Sequence, residues 1–169
     1  YSPCFRREAG SHGTQERGLI RTHQFNKVEL FAFTSADQSA EIFEKMLLSA
    51  EAVLEQLGLH YKRMQLVSSD TSFSAAKTID IEIFLPGQNC YYEVSSVSNC
   101  KDFQARRSAI RTKREKKTEF VHTLNGSGLA TSRLMVGLLE TYQQEDGSII
   151  IPEALRNYLG GQKVIRSLQ

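Results

Sequence analysis

The sequence predicts an α+β fold, a twisted and mainly antiparallel sheet flanked by helices. Three observations point there. Two extended, charge-rich segments, 4–8 and 17–29, flank a polar loop punctuated by glycine, which is the pattern of a β-hairpin with a long tip. Between residues 42 and 57 the apolar side chains recur at helical spacing. Between residues 79 and 98 two strand-like runs flank Pro86-Gly87-Gln88-Asn89, a second hairpin.

The elements follow in order. Residues 19–34 read as a long strand that leaves the first hairpin and ends in apolar Leu30, Phe31, Ala32 and Phe33. Ser35 with Gln38 three residues on gives a capping-box signal for the helix. Ile42, Phe43, Met46, Leu47, Ala50, Val53, Leu54 and Leu57 form one face of it, suited to packing on a sheet, and Gly58 stops it. Residues 61–68 predict a strand and 69–76, small and polar, a loop. Ile79, Ile81, Ile83 and Leu85 alternate with Asp80, Glu82 and Phe84, and 90–98 returns as the next strand.

Pairing Leu85 with Cys90 would set Glu82 opposite Glu93, and opposed like charges destabilise a strand pair unless neutralised. A cation held by oxygen ligands, with the hydroxyls of Ser95 or Ser96 nearby, is one solution. Solvent or a neighbouring arginine is the other. Residues 101–117 carry eight Lys or Arg against Asp102 and Glu115, a solvated helix or loop, or an attractor of phosphates. Residues 119–124 predict a strand. It ends in Asn125-Gly126-Ser127-Gly128, and a helix then runs through Leu129, Ala130, Arg133, Leu134, Val136, Gly137, Leu138 and Tyr142. The glycines would let the backbone approach a ligand, and the first N–H groups of the helix would face an anion or polar substrate. Asp146-Gly147 is a turn, Ile149-Ile150-Ile151 a short buried strand, and Pro152 suits the first turn of a last helix.

A chain of 169 residues is one domain's worth, and its net charge of +2 does not by itself imply nucleic acid. No apolar run approaches membrane-spanning length and no signal-peptide pattern occurs. Cys4, Cys90 and Cys100 leave one thiol over in any disulfide scheme and form no CxxC pair, which disfavours a zinc site and favours a reducing, cytoplasmic setting. His12, His23, His60 and His122 show no ligand spacing and read as structural or surface residues.

The first hairpin carries Arg6, Arg7, Arg17, Arg21 and Lys27 among Glu8, Glu16 and Glu29, with Phe25 between them. Arginine forks match phosphate oxygens and an aromatic face matches a purine, although a solvated hairpin with surface ion pairs has the same composition. The wording is more specific than the composition. Phe-Arg-x-Glu, a loop, then Arg-Gly-Leu-x-Arg-x-His-Gln-Phe-x-Lys-x-Glu resembles motif 2 of the class II aminoacyl-tRNA synthetases, in the form found in seryl-tRNA synthetases. Thr123-Leu124-Asn125-Gly126-Ser127-Gly128-Leu129-Ala130-Thr131-Ser132-Arg133 is similar to motif 3. Glu93-Val94-Ser95-Ser96-Val97-Ser98-Asn99 with Asp102-Phe103-Gln104-Ala105-Arg106-Arg107 resembles the segment between the two.

The resemblance spans nearly the whole chain. It implies a single domain, residues 1–169, forming the C-terminal part of a class II catalytic core, with the coiled-coil arm, motif 1 and the Thr-x-Glu segment absent. It implies serine–tRNA ligation, with ATP as substrate, Mg²⁺ as cofactor, serine and tRNA-Ser as partners, tRNA-Sec left open as a second substrate, a homodimer at full length and no membrane. A non-catalytic paralogue and an aminoacyl transferase to a carrier protein remain the alternatives.

The site residues implied by the resemblance are these. Arg6 would hold the α-phosphate and the serine carboxylate, and Glu8 the adenine amino group. Phe25 and Arg133 would stack on the two adenine faces. Arg21 would reach the γ-phosphate, and Thr22, His23 and Gln24 would line the pocket. Arg7, Val94 and Ser95 belong to the same expected ATP-binding set. Glu93 and Ser96 would carry Mg²⁺, while Glu29 and Ser127 would contact serine with support from Asn125. Arg6, Arg21 and Arg133 would be the catalytic groups, and residues 101–117 could draw pyrophosphate or the tRNA acceptor end.

Overall fold

The computed structural model describes residues 1–7, 18–114 and 117–166. Its strands are β1 (Ser2–Phe5), β2 (Gln24–Thr34), β3 (Tyr61–Gln65), β4 (Lys77–Leu85), β5 (Cys90–Asn99), β6 (Arg111–Arg114), β7 (Lys117–Phe120), β8 (His122–Ala130), β9 (Ile149–Ile150) and β10 (Val164–Ile165). Its α-helices are α1 (Ser39–Gln56), α2 (Phe103–Ser108), α3 (Thr131–Tyr142) and α4 (Glu153–Arg156). Six strands form one antiparallel sheet in the order β1-β2-β8-β5-β4-β3, and two small two-stranded ribbons, β6-β7 and β9-β10, stand apart from it. This is the α+β arrangement the sequence predicts.

One face of the sheet is covered. Tyr61 and Arg63 on β3 are in register with Ile83 and Ile81 on β4, and both reach α1, through Glu55 and Glu51. Gly137 of α3 lies against Ile83 and Leu85, so α3 shares that face. Leu47, Leu54, Ile81, Ile83, Val97 and Leu124 are at most 0% exposed between these layers, and each contributes roughly 1.5–3 kcal/mol by leaving water. The period-2 rule then turns Lys62, Asp80 and Glu82 to the opposite face.

Several local expectations shift. The first strand stops at Phe5 and the returning strand starts at Gln24, after a 3-10 turn at Gly18–Ile20, so the paired hairpin arms are shorter than expected. Helix α1 begins at Ser39 rather than next to Ser35. Ser35 bonds to the Gln38 side chain within a turn, and Ser39 Oγ donates to the Ala36 carbonyl, so the capping-box residues shape the turn before the helix. Val53 is 37% exposed, at the edge of the otherwise buried stripe. Gly58 ends the helix at φ +65°, a conformation that favours glycine.

A further shift concerns the helix expected from Leu129, just after residues 125–128. Those residues continue β8 to Ala130, and α3 begins at Thr131. The glycines serve strand packing instead: a Cβ on Gly126 would lie 2.8 Å from Val97 Cγ2 and one on Gly128 3.1 Å from Leu30 Cγ. A two-sided, crowded central strand requires small residues there, and a helix-initiating loop has the same composition. Pro152 caps the single turn of α4, and β9 is half-buried with Ile151 buried beside it.

Candidate functional site

Two β-bulges shape the open face. Glu82 faces Glu93 across β4 and β5, as expected, but Ile81 faces Ser95, so Val94 is an extra residue on β5. In a regular strand Glu93 and Ser96, three apart, would point to opposite faces. The bulge puts both on the open face, where Ser96 is opposite Asp80. Val94 is buried in the core, and Ser95 is fully buried with its hydroxyl donating to the Ser127 carbonyl. A second irregularity lies between Lys27 and Glu29, which pair with Ala130 and Ser127 of β8. It sets Glu29 beside Ser127, and Lys27 Nζ lies 2.7 Å from Glu29 Oε2.

At the end of the sheet where β2, β5 and the start of α3 meet lies a small open cleft of about 130 Å³, lined by Arg6, Thr22, Phe25, Glu93 and Arg133, with Ile20, Lys27, Ala130 and Ser132 completing it. Arg133 is held rigidly. Its Nε donates to the Ile20 carbonyl at 3.1 Å and its Nη1 to the Glu93 carbonyl at 2.8 Å, with Glu93 Oε2 3.7 Å away. Two bonds to the guanidinium edge fix its plane. Arg6 is placed by its backbone N–H, which donates to the His23 carbonyl, and its guanidinium lies 4.6 Å from the Phe25 ring centroid. Thr22 Oγ1 is buried without a hydrogen-bond partner, a cost that a polar ligand would remove.

The acidic part of the open face is partly neutralised. Lys62 Nζ lies 3.1 Å from Glu82, and Arg133 stands beside Glu93. Asp80 remains. Burial pushes its carboxyl above the usual range, the Ser96 hydroxyl pulls it down, and the charges of Glu93 and Glu82 push it up again. Its Oδ1 is buried and has no partner. Among the described residues no three His, Cys, Asp or Glu side chains gather as a metal cage. The donor set of carboxylate and hydroxyl oxygens still fits Mg²⁺, which uses one or two carboxylates and takes its other ligands from water and substrate phosphates.

A family model described as the tRNA synthetase class II core domain (G, H, P, S and T) matches residues 1–142. The chain belongs to this family. It is similar to the serine–tRNA ligase of Pelobacter propionicus, 61% identical over 98% of this chain and 40% of that protein. The serine–tRNA ligase of Chlamydia abortus is 60% identical over 98% of this chain and 39% of that protein. Among solved structures, seryl-tRNA synthetase from Pyrococcus horikoshii complexed with ATP superposes with a TM-score of 0.93 at 43% identity, over 99% of this chain and 38% of that one. The cytoplasmic serine–tRNA ligase of Naegleria fowleri in complex with AMP gives 0.92 at 40% identity, over 99% of this chain and 40% of that one. The chain thus spans about 40% of the length of the relatives it matches.

For this class II core, the expected site residues fall into three groups. Arg6, Thr22, Phe25, Glu93 and Arg133 meet in the cleft. Glu29, Ser127, Asn125 and Ser96 follow along the open face in register: Glu29 pairs with Ser127, Phe31 with Asn125, and Asn125 with Ser98. Arg7, His23 and Gln24 are exposed at the cleft's outer edge, and Arg21 follows the 3-10 turn, its N–H bonded to the Gly18 carbonyl. The side chains of Val94 and Ser95 face the protein rather than the open face, which leaves only their backbone for a ligand. Glu8 lies outside the described residues, as do Arg17, Glu16 and His12. Of the other histidines, His60 bonds Tyr91 and His122 bonds Ser39, both structural contacts. Asp80 and Ser132 are not among the expected site residues, and Lys27, singled out only as one of the hairpin's charges, lines the cleft as well. The alternation that places Asp80 opposite Glu82's neighbours was visible, but its pairing with Ser96 depends on the Val94 bulge.

Proposed function

We propose that this chain is the C-terminal part of the catalytic core of a serine–tRNA ligase. The observation that carries the proposal is the cleft in which Arg6, Phe25, Glu93 and Arg133 converge, in a chain about 60% identical to serine–tRNA ligases. In the first step the serine carboxylate oxygen attacks the α-phosphorus of ATP. The bond to the β-phosphate bridging oxygen breaks, giving seryl-adenylate and pyrophosphate. In the second, a hydroxyl of the terminal adenosine of tRNA-Ser attacks the activated carbonyl, AMP leaves, and the hydroxyl proton passes to solvent or phosphate. Neither step needs a covalent enzyme nucleophile, so orientation and charge stabilisation supply the rate.

Arg6 bridges the serine carboxylate and the α-phosphate with its two-pronged donor edge. Phe25 and Arg133 sandwich the adenine. Since the Arg6 guanidinium rests on the Phe25 ring, the base uses the other ring face or displaces it as Arg6 turns to the phosphate. Arg21 meets the γ-phosphate, Thr22 offers its unpartnered hydroxyl, and His23 and Gln24 border the nucleotide with Arg7, Glu8 and the backbone at Val94 and Ser95. Glu93 and Ser96 would hold Mg²⁺, with Asp80 next to them, and the ion would draw charge from the phosphate oxygens. Glu29 and Ser127 bind serine, supported by Asn125, and a site that hydrogen-bonds the serine hydroxyl leaves buried groups unpaired when alanine enters. We further propose a homodimer at full length and a cytoplasmic setting. Cys4, Cys90 and Cys100 are free thiols, which fits a reducing setting; among the described residues no helix is long and apolar enough to cross a membrane. The test is aminoacylation by the full-length protein with radiolabelled serine against a panel of purified tRNAs. Charging confined to tRNA-Ser supports the proposal, and no charging of it with serine contradicts it.

A further inference from the structure

Three aromatic rings and three arginines form a surface outside the cleft. Helix α2 carries Phe103, Arg106 and Arg107 at spacings that make them neighbours. Arg107 Cζ lies 3.5 Å from the Phe103 ring centroid. Phe73, from the loop between β3 and β4, meets Phe103 edge-on at 5.8 Å. Arg106 and Arg111 lie 5.7 and 4.8 Å from the ring of Phe120. Phe73 is 89% exposed, so it adds little to the core and presents a ring to solvent.

We propose that this surface receives the unpaired 3′ end of the tRNA, an inference that rests on the ligase reading above. Unpaired bases stack on exposed aromatic rings and guanidinium planes, and phosphates seek the cations between them. Residues 101–117 carry eight Lys or Arg against two acidic residues. Arg106 pairs with Asp102 and Arg114 with Asp37, whereas Arg107 and Arg111 lie over rings. An acidic protein segment would satisfy the charge but not the exposed ring. Position supports the same occupant. Thr123 of β8 donates its hydroxyl to Gln104 of α2 at 2.7 Å, and Asn125 Nδ2 donates to Cys100 Sγ at 3.7 Å. Helix α2 therefore borders the open face where Asn125 and Ser127 would meet serine. At about 3.3 Å per strand residue, Thr123 is roughly 13 Å from Ser127, a span of a few nucleotides.

The test uses full-length protein and three measurements: serine-dependent ATP–pyrophosphate exchange, which needs no tRNA, the KM for tRNA-Ser in aminoacylation, and inhibition by tRNA-Ser trimmed of its unpaired 3′ nucleotides. Phe73→Ala should leave exchange unchanged, raise the KM for tRNA roughly 5- to 150-fold, and leave inhibition by trimmed tRNA unchanged. Phe73→Trp should keep the wild-type KM, and the pair Arg107→Gln and Arg111→Gln should flatten its salt dependence. An unchanged tRNA KM in exchange-active Phe73→Ala overturns the inference alone. So does an equal loss of affinity for trimmed tRNA, which would place the contact on duplex, or a changed oligomeric state with unchanged KM, which would make the occupant protein. Wild-type protein with no serine-dependent exchange would instead overturn the ligase reading and this inference with it.

Discussion

Arg133→Lys separates the two tasks of that side chain. The guanidinium reaches two backbone carbonyls through different nitrogens, Nε to Ile20 at 3.1 Å and Nη1 to Glu93 at 2.8 Å. A lysine ammonium can keep one of them. Losing a bond from a charged donor costs roughly 1.5–3 kcal/mol, so the melting temperature should fall by a few degrees. The planar face is lost as well. A cation–π stack of roughly 0.5–2 kcal/mol corresponds to about a 2- to 30-fold rise in the Kd for ATP. Calorimetric titration of full-length protein with a non-hydrolysable ATP analogue, next to a thermal melt, reads both quantities. A lowered melting temperature with unchanged ATP affinity would refute the stacking role and leave Arg133 as a clamp between α3, β5 and the 3-10 turn.

Other outcomes follow from single contacts. Arg6→Lys should lower serine-dependent exchange by about two orders of magnitude while the fold, which uses its backbone N–H to His23, keeps its melting temperature; near-normal exchange would remove Arg6 from the mechanism. Arg63→Met leaves Glu51, only 7% exposed in its side chain, without the guanidinium that grips both its oxygens, and should cost roughly 3 kcal/mol in urea unfolding. Gly126→Ala forces a methyl to 2.8 Å from Val97 Cγ2 inside the central strand and should cost about 1–3 kcal/mol by the same assay. The Ser148 hydroxyl and then its N–H hold the Asp146 carboxyl below its usual pKa, so the turn gains stability above the ordinary carboxylate range and loses it as pH falls through the lowered value. Asp146→Ala should therefore be less stable than wild type at neutral pH, and the two melting curves should converge in acid.

The parts of the fold that were legible are those in which local pattern and tertiary demand agree. Ile79, Ile81, Ile83 and Leu85 alternate because one face of β4 is buried, and Phe43, Met46, Leu47 and Leu54 recur at helical spacing because α1 lies on that face. Glu82 opposite Glu93 followed from the turn at 86–89 alone. The helix after residues 125–128 starts at Thr131 rather than Leu129, and the glycines before it make room for Val97 and Leu30, a demand that only the neighbouring strands reveal. The candidate site was read mainly from motif wording. Composition could not place Glu93 and Ser96 on one face, because that depends on a bulge at Val94, and bulges leave no residue signature there. Nor could it find Asp80 as the carboxylate beside them with one unpartnered oxygen, since that depends on strand register and burial.

The central claim is that the cleft activates serine at the expense of ATP. ATP–pyrophosphate exchange by full-length protein, run with serine, threonine, alanine and glycine in turn, tests it most directly. Exchange driven by serine well above the other three is expected, because Glu29 and Ser127, the proposed serine contacts, stand in register on the open face. Comparable exchange with alanine and serine would contradict it.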